Sequence, residues 1–218
     1  MIRIRVPASS GNVCVGFDCL GLGINCYNQF TFSKSEQTTL IGFDASIKDE
    51  DNLVLKAYDT FAKAYMSGKK VRPVRIALEE QQIPMSRGLG SSASLILAGM
   101  LASNIIHGLH RSVEEVLKMA SDLEGHLDNV YAAYYGGLTL VFEDKKEVYY
   151  RTFNVSKDYS FYLLIPKTQG KTKVLRDILP KRIDMQDAVF NLSRIYFAIE
   201  AFQNGDFKQL KASLKDTY

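Results

Sequence analysis

A chain of 218 residues, 46% of them hydrophobic, holds enough apolar material for one large domain or two small ones with a buried core. Its 27 Lys and Arg against 24 Asp and Glu leave a net charge of +3, too even a balance for a nucleic-acid binder, which gathers basic residues into a stripe or patch. Apolar runs fall short of the roughly 18 residues of a membrane span, and the N-terminus lacks the apolar core of a signal peptide. Cys14, Cys19 and Cys26 are an odd set without the fourth thiolate of an iron–sulfur centre. A soluble chain in a reducing cytoplasm, bound to neither membrane nor nucleic acid, is expected.

In chain order, residues 2–6 alternate apolar and basic side chains and predict a half-buried strand. Further strands are expected at 28–33, 73–78, 138–142, 148–155 and 161–165, all rich in β-branched or aromatic residues. Asn52 can cap a helix carrying Ala57, Phe61 and Ala64 and stopping at Gly68. Residues 91–107 are apolar almost all round and end at Gly108, which predicts a buried helix. Ser112 and Glu115 form a capping box before Val116, Leu117, Ala120 and Leu123. Asp184 opens a helix with Leu192, Ile195, Tyr196, Ile199 and Phe202 on one face and Gly205 as its stop. Asp206 opens another. The basic stretches 69–72 and 167–173 read as solvated loops and turns. The fold class is α+β, with a boundary near 155–158 and a second part that reads as half a domain.

The most informative segment is Pro84-Met85-Ser86-Arg87-Gly88-Leu89-Gly90-Ser91-Ser92-Ala93-Ser94, which runs straight into the apolar helix. Two glycines permit backbone angles closed to other residues and a close approach of main-chain N–H groups to a ligand. The free amides and dipole of a helix start attract anions, and Ser91 and Ser92 add hydroxyls for phosphate or magnesium. A Walker A loop needs a lysine that is absent here. A dinucleotide fingerprint is matched by Gly88, Gly90 and Ala93, but it belongs directly after the first strand of a βαβ unit with an acid about 20 residues on, and neither condition holds. A phosphate cradle remains, beside the plain reading of a serine-capped glycine turn without a ligand.

The pattern P-x-x-x-G-L-G-S-S-A resembles the ATP-binding signature of the GHMP kinases, and Arg87 makes it most similar to the homoserine kinases among them. Two more stretches carry the same resemblance. Val6-Pro7-Ala8-Ser9-Ser10-Gly11-Asn12 with Gly16-Phe17-Asp18-Cys19-Leu20-Gly21-Leu22 is similar to the opening of homoserine kinases, departing at Gly11 and at Val13-Cys14-Val15. Glu124-Gly125-His126-Leu127-Asp128-Asn129-Val130, followed by Gly136-Gly137, resembles their E-G-H-P-D-N-V segment with Leu127 for proline. A weaker match, residues 171–180, resembles a segment whose arginine, here Arg176, would grip a substrate carboxylate by a double contact.

The resemblance implies an N-terminal ATP-binding α+β domain of the ribosomal-protein-like type over 1–155 and a partial ferredoxin-like C-terminal domain over 156–218. It implies that residues 84–94 bind ATP, that Glu124 and Ser92 hold Mg2+, and that Asn12, Asp18, His126, Asp128 and Arg176 face L-homoserine. The reaction implied is phosphorylation of the homoserine hydroxyl, a step of threonine biosynthesis. Several GHMP kinases carry an aspartate base where this chain has Asn129. Asn129 is therefore expected to orient the hydroxyl, with Asp128 as base the alternative, since a loose phosphoryl-transfer transition state asks little of a base. The family continues beyond the equivalent of Tyr218 with another arginine and a glycine-rich motif, so a chain cut short at its C-terminus is expected, and a homodimer is compatible with the resemblance. A kinase of another small alcohol and an ATP-binding fragment without turnover stay open.

Overall fold

The computed structural model describes residues 1–44, 46, 49–165 and 179–217. Strand β1 (Ile2–Ser10) pairs antiparallel with the long β2 (Leu20–Lys34). The other edge of β2 is divided between two partners. Its C-terminal half pairs with β4 (Val74–Gln81), which β3 (Thr39–Ile41) flanks in parallel. Its first residues pair with β5 (Leu138–Asp144), followed by β6 (Glu147–Phe153). Between β1 and β2 the register shifts after Pro7, so that Ala8 faces Ile24 while Pro7 faces Tyr27. The skipped residues, Asn25 and Cys26, bulge from β2 opposite Pro7, which cannot donate to a ladder, and the pairing of Ser9 and Ser10 is re-aimed beyond them.

The helices form where the sequence places their caps. Asn52 accepts from the Val54 N–H at the start of α1 (Leu53–Tyr65). The reciprocal capping box of Ser112 and Glu115 opens α3 (Val113–Glu124). Between them α2 (Ser91–His107) runs through the core, bounded by Gly90 and Gly108, both left-handed. The main core joins Phe30, Phe32 and Ile76 of the sheet to Tyr58 and Phe61 of α1, Leu97 and Met100 of α2 and Leu117 of α3. Each such side chain stabilises the fold by about 1.5–3 kcal/mol relative to exposure.

Three elements were not anticipated. Helix α4 (Asp128–Tyr135) is short and starts without a side-chain cap. Strand β3 has only three residues. The first eight residues of β2 extend the predicted strand backwards through Gly21 and Gly23, which lower β propensity. Both glycines lie where α4 crosses the sheet. A Cβ on Gly21 would lie 2.3 Å from the Asp128 carbonyl oxygen, and one on Gly23 would lie 2.7 Å from the Gly136 Cα. Glycine in this strand is the condition for α4, and with it the Asp128-Asn129 pair, to approach.

After β6 the chain passes to α5 (Met185–Asn204) and α6 (Phe207–Ser213). Ile199 and Phe202 of α5 and Leu210 of α6 pack on Leu20, Leu22 and Leu138, with Ile195 against the same cluster. The five-residue face expected on α5 is divided. Leu192 and Tyr196 are exposed, in line with Met185 and Val189 at spacings that return to one side of a helix. The helix thus has two apolar stripes, and the sheet covers one. The strand expected at 161–165 does not form: those residues carry no regular structure, with Tyr162 and Leu164 almost fully exposed. Among the described residues no neighbouring strand offers them a ladder, and side-chain preference alone does not make a strand. The basic stretch 167–173 lies outside the described residues. No helix among those described is long and apolar enough to cross a membrane.

Candidate active site

Segments from along the whole chain converge on one cavity of about 830 Å3, among them the loop after β1, the turn before α2, the start of α2, the end of α3 and the start of α4. Pockets for small ligands usually have a volume of this order. Residues 85–92 of the glycine–serine turn form one wall. Gly90 caps α2 in the left-handed conformation (φ 63°) and offers no side-chain oxygen to the first amides of the helix. Those amides carry the positive end of the dipole. Gly90 also has no room for a Cβ, which would lie 2.1 Å from Ser9 Oγ. Gly88 (φ 72°) has open space instead, so its requirement is conformational alone.

The serines of the turn point different ways. Ser91 and Ser92 line the cavity, Ser91 Oγ donating to the Met85 sulfur at 2.7 Å. Ser92 Oγ donates to Glu124 Oε1. Ala93 and Ser94 turn into the core: Ser94 is fully buried, donates to the Ser91 carbonyl and accepts from Asn28 Nδ2 at 3.0 Å. Asn28 in turn accepts the Ile83 N–H, which anchors the start of the turn to β2. Pro84 lies outside the cavity lining.

Glu124 is the last residue of α3, where the helix dipole disfavours an anion. Its side chain is 8% exposed, and the His126 imidazole lies beside it, 3.7 Å from Nε2 to Oε1. Burial pushes its carboxyl above the usual range, against the opposing effects of Ser92 and His126. A buried carboxylate at the wrong end of a helix, joined to a serine hydroxyl, adds little to folding and fits a hard cation, which takes oxygen ligands and completes its shell with phosphate and water. Among the described residues no cluster of three or more His, Cys, Asp or Glu could hold a metal without such help.

Asp128 is the opposite case. It is fully buried, and both its oxygens are occupied by protein donors. Oδ2 accepts the Asn12 N–H at 2.9 Å, and Oδ1 accepts the Asn129 N–H at 2.8 Å and lies 3.0 Å from His126 Nδ1. Burial alone would raise its pKa. The His126 contact and the two amides outweigh that and hold it below the ordinary value. Asp128 therefore fixes His126 and the loop at Asn12 and does not line the cavity. Asn129 does line it, with Oδ1 accepting from Ser9 Oγ at 3.0 Å.

The loop between β1 and β2 holds three non-glycine residues at positive φ: Asn12, Cys14 and Asp18. Asn12 lines the cavity and accepts the Asp18 N–H through Oδ1 at 2.8 Å, while Asp18 itself stands behind the lining. Arg176 lies outside the described residues, as does most of the segment 171–180. Leu179 reaches the same cavity. Away from the turn, Phe43, Leu53, Leu78 and Leu95 line it with apolar surface, and Asp44 and Asp51 stand near them. This apolar end, apart from Leu95 separated in sequence from the motifs, was not anticipated. It is brought together by α1, α2, β4 and a loop whose residues show no shared pattern. Ser9, fully buried against the turn, was quoted within a motif but given no role.

A profile of the GHMP kinases N terminal domain matches residues 52–137. A homoserine kinase of Clostridium botulinum (strain 657 / Type Ba4) is 40% identical over 218 residues, spanning 99% of this chain and 72% of that protein. The crystal structure of homoserine kinase from Cytophaga hutchinsonii superposes with a TM-score of 0.78 at 25% identity, over 99% of this chain and 71% of that one. The phosphomevalonate kinase of Streptococcus pneumoniae, solved with phosphomevalonate and AMPPNP, shares the fold alone, with a TM-score of 0.72 at 13% identity over 98% of this chain and 78% of that one. With this identity over nearly its whole length and the glycine–serine turn standing at the mouth of its cavity, the chain belongs to the homoserine kinase family of the GHMP kinases.

Proposed function

We propose that this chain transfers the γ-phosphoryl group of ATP to the hydroxyl of L-homoserine, as the first step toward threonine from that amino acid. The observation that carries the reading is a single cavity with uncapped helix amides on one wall, the Ser92–Glu124 pair beside them and Asn129 opposite. In this reading residues 1–155 are the nucleotide-binding domain and residues 156–218 belong to the second. The apolar end between Phe43, Leu53, Leu78 and Leu95 takes the base, and the phosphates lie along residues 85–92. Mg2+ held by Ser92 and Glu124 would neutralise charge on the transferring phosphate.

With Oδ1 of Asn129 engaged by Ser9, its Nδ2 donates to the substrate oxygen and cannot take a proton. Asp128, whose oxygens already accept two backbone amides and lie against His126 Nδ1, is assigned to positioning and not to proton removal. Asn129 orients the hydroxyl for in-line attack, and the proton leaves late, toward the phosphate oxygens, as a loose transition state allows. Asp18 is assigned to the substrate ammonium and Arg176 to its carboxylate.

The test is ADP release with ATP, Mg2+ and L-homoserine, beside L-serine, mevalonate and galactose. Release that depends on homoserine is expected. Release with another alcohol alone would replace the substrate, and tight ATP binding with no release from any of them would make the chain a nucleotide binder without turnover.

A further inference from the structure

Ser9 is fully buried, as a hydroxyl seldom is without a task. It stands just after the point where β1 passes the bulge in β2, and it touches both halves of the site. Its N–H donates to the Leu89 carbonyl at 3.2 Å, inside the phosphate turn. Its side chain lies against Gly90 so closely that a Cβ there would lie 2.1 Å from Ser9 Oγ and 3.0 Å from Ser9 O. Its Oγ donates to Asn129 Oδ1 at 3.0 Å.

A side-chain amide can be turned either way, and the surrounding donors decide which. A serine hydroxyl can donate to Oδ1 or accept from Nδ2, so the neighbouring carboxylate decides. The space a Cβ of Gly11 would occupy is 2.6 Å from Asn129 Nδ2 and 2.2 Å from Asp128 Oδ2. Nδ2 thus shares its side with a carboxylate, and turning the amide over would set Oδ1 beside that anion. Among the described residues Nδ2 has no protein acceptor, and Asn129 lines the cavity.

We infer that Ser9 is a positioning residue of this kinase. Its hydroxyl holds the Asn129 amide with Nδ2 toward the acceptor hydroxyl, and its main chain ties that amide to Leu89 and Gly90, so donor phosphate and acceptor oxygen share one register. The inference rests on the kinase reading for its catalytic consequence and on geometry alone for the amide's orientation.

Two measurements test these separately. In turnover assays Ser9→Ala, and Ser9→Cys, which fills the same space with a weaker donor, should lower kcat by about 10- to 100-fold with the KM for ATP changed by less than about three-fold. Ser9→Thr, which restores the hydroxyl, should recover most of the loss. In an Asn129→Ala background, Ser9→Ala should cost less than about two-fold more, because the residue it acts through is gone. An equal loss in both backgrounds would overturn the inference. The second measurement is the side-chain NH2 resonance pair of Asn129 in 15N-labelled protein, which needs no turnover. The pair should shift and exchange faster with solvent in Ser9→Ala, and a pair that stays unmoved overturns the orientation. If the unmutated chain phosphorylates no alcohol, the kinase reading fails while the amide resonances still decide what Ser9 does.

Discussion

Gly90→Ala and Gly88→Ala place the same methyl at two positions of one turn, both with positive φ, and should differ sharply in cost. A non-glycine residue in the left-handed region costs roughly 1–2 kcal/mol, offset by about 0.4–1 kcal/mol through a less flexible unfolded chain. Gly88 meets nothing within 4 Å, so its variant should lose only about 1 kcal/mol. At Gly90 the new methyl meets Ser9 Oγ at 2.1 Å and Ser9 O at 3.0 Å, which adds a packing strain of about 1–3 kcal/mol. With a urea m-value of roughly 3 kcal/mol/M for a chain of this size, the midpoint should fall by about 1 M for Gly90→Ala and about 0.3 M for Gly88→Ala. Part of the strain at Gly90 can be relieved by rotating the Ser9 hydroxyl away, at the expense of its bond to Asn129. Gly90→Ala should therefore cost about 1 kcal/mol less in a Ser9→Ala background, a coupling expected of residues in contact. Equal midpoints for the two glycine variants, or no coupling to Ser9, would refute the placement of Gly90 against β1.

Three further outcomes are expected. Glu124→Gln should raise the thermal midpoint of the nucleotide-free protein at neutral pH, since burial holds this carboxyl above its ordinary pKa and the amide removes a buried charge. The same variant should lower kcat by about 100-fold or more, the scale seen when a group stabilising transition-state charge is lost. Asp128 has a depressed folded pKa, so its contribution is present above the unfolded value, near 4, and is lost as pH falls through the folded one. Urea midpoints should show Asp128→Asn about 2 kcal/mol less stable at pH 7, with the gap closing as pH falls through the folded value; a gap that persists at the acid end refutes the assignment. Burial, reinforced by nearby carboxylates, pushes the thiols of Cys14 and Cys19 up to about 12 and about 11. Alkylation at pH 8 should leave both unmodified in the folded protein while the denatured chain reacts fully, and labelling at equal rates would contradict their burial.

Much of this protein follows from sequence because its signals are local. Asn52, Ser112 with Glu115, Gly108 and Gly205 start or stop helices where they stand, since a cap depends on the few residues around it. The phosphate turn is equally local: two glycines, four serines and a helix start within eleven residues. Glu124 and Ser92, paired across 32 positions by resemblance, do meet.

What the tertiary structure decided is what depends on residues distant in the chain. Whether 161–165 became a strand turned on a neighbouring strand and not on its own β-branched and aromatic content. The second stripe of α5 looked like the first because hydrophobicity does not state which side a sheet will cover. Gly21 and Gly23 read as weak strand residues until α4 was seen to lie on them. In the site itself, sequence could pair Asp128 with chemistry but not show that two amides, one of them 116 residues away, and the His126 ring lie against its two oxygens. The orientation of the Asn129 amide, set by a serine 120 positions earlier, belongs to the same class. Hydrogen bonds of that span exist only after the sheet has formed, because it is the pairing of β1 with the bulged β2 and the crossing of α4 over β2 that bring the two ends together.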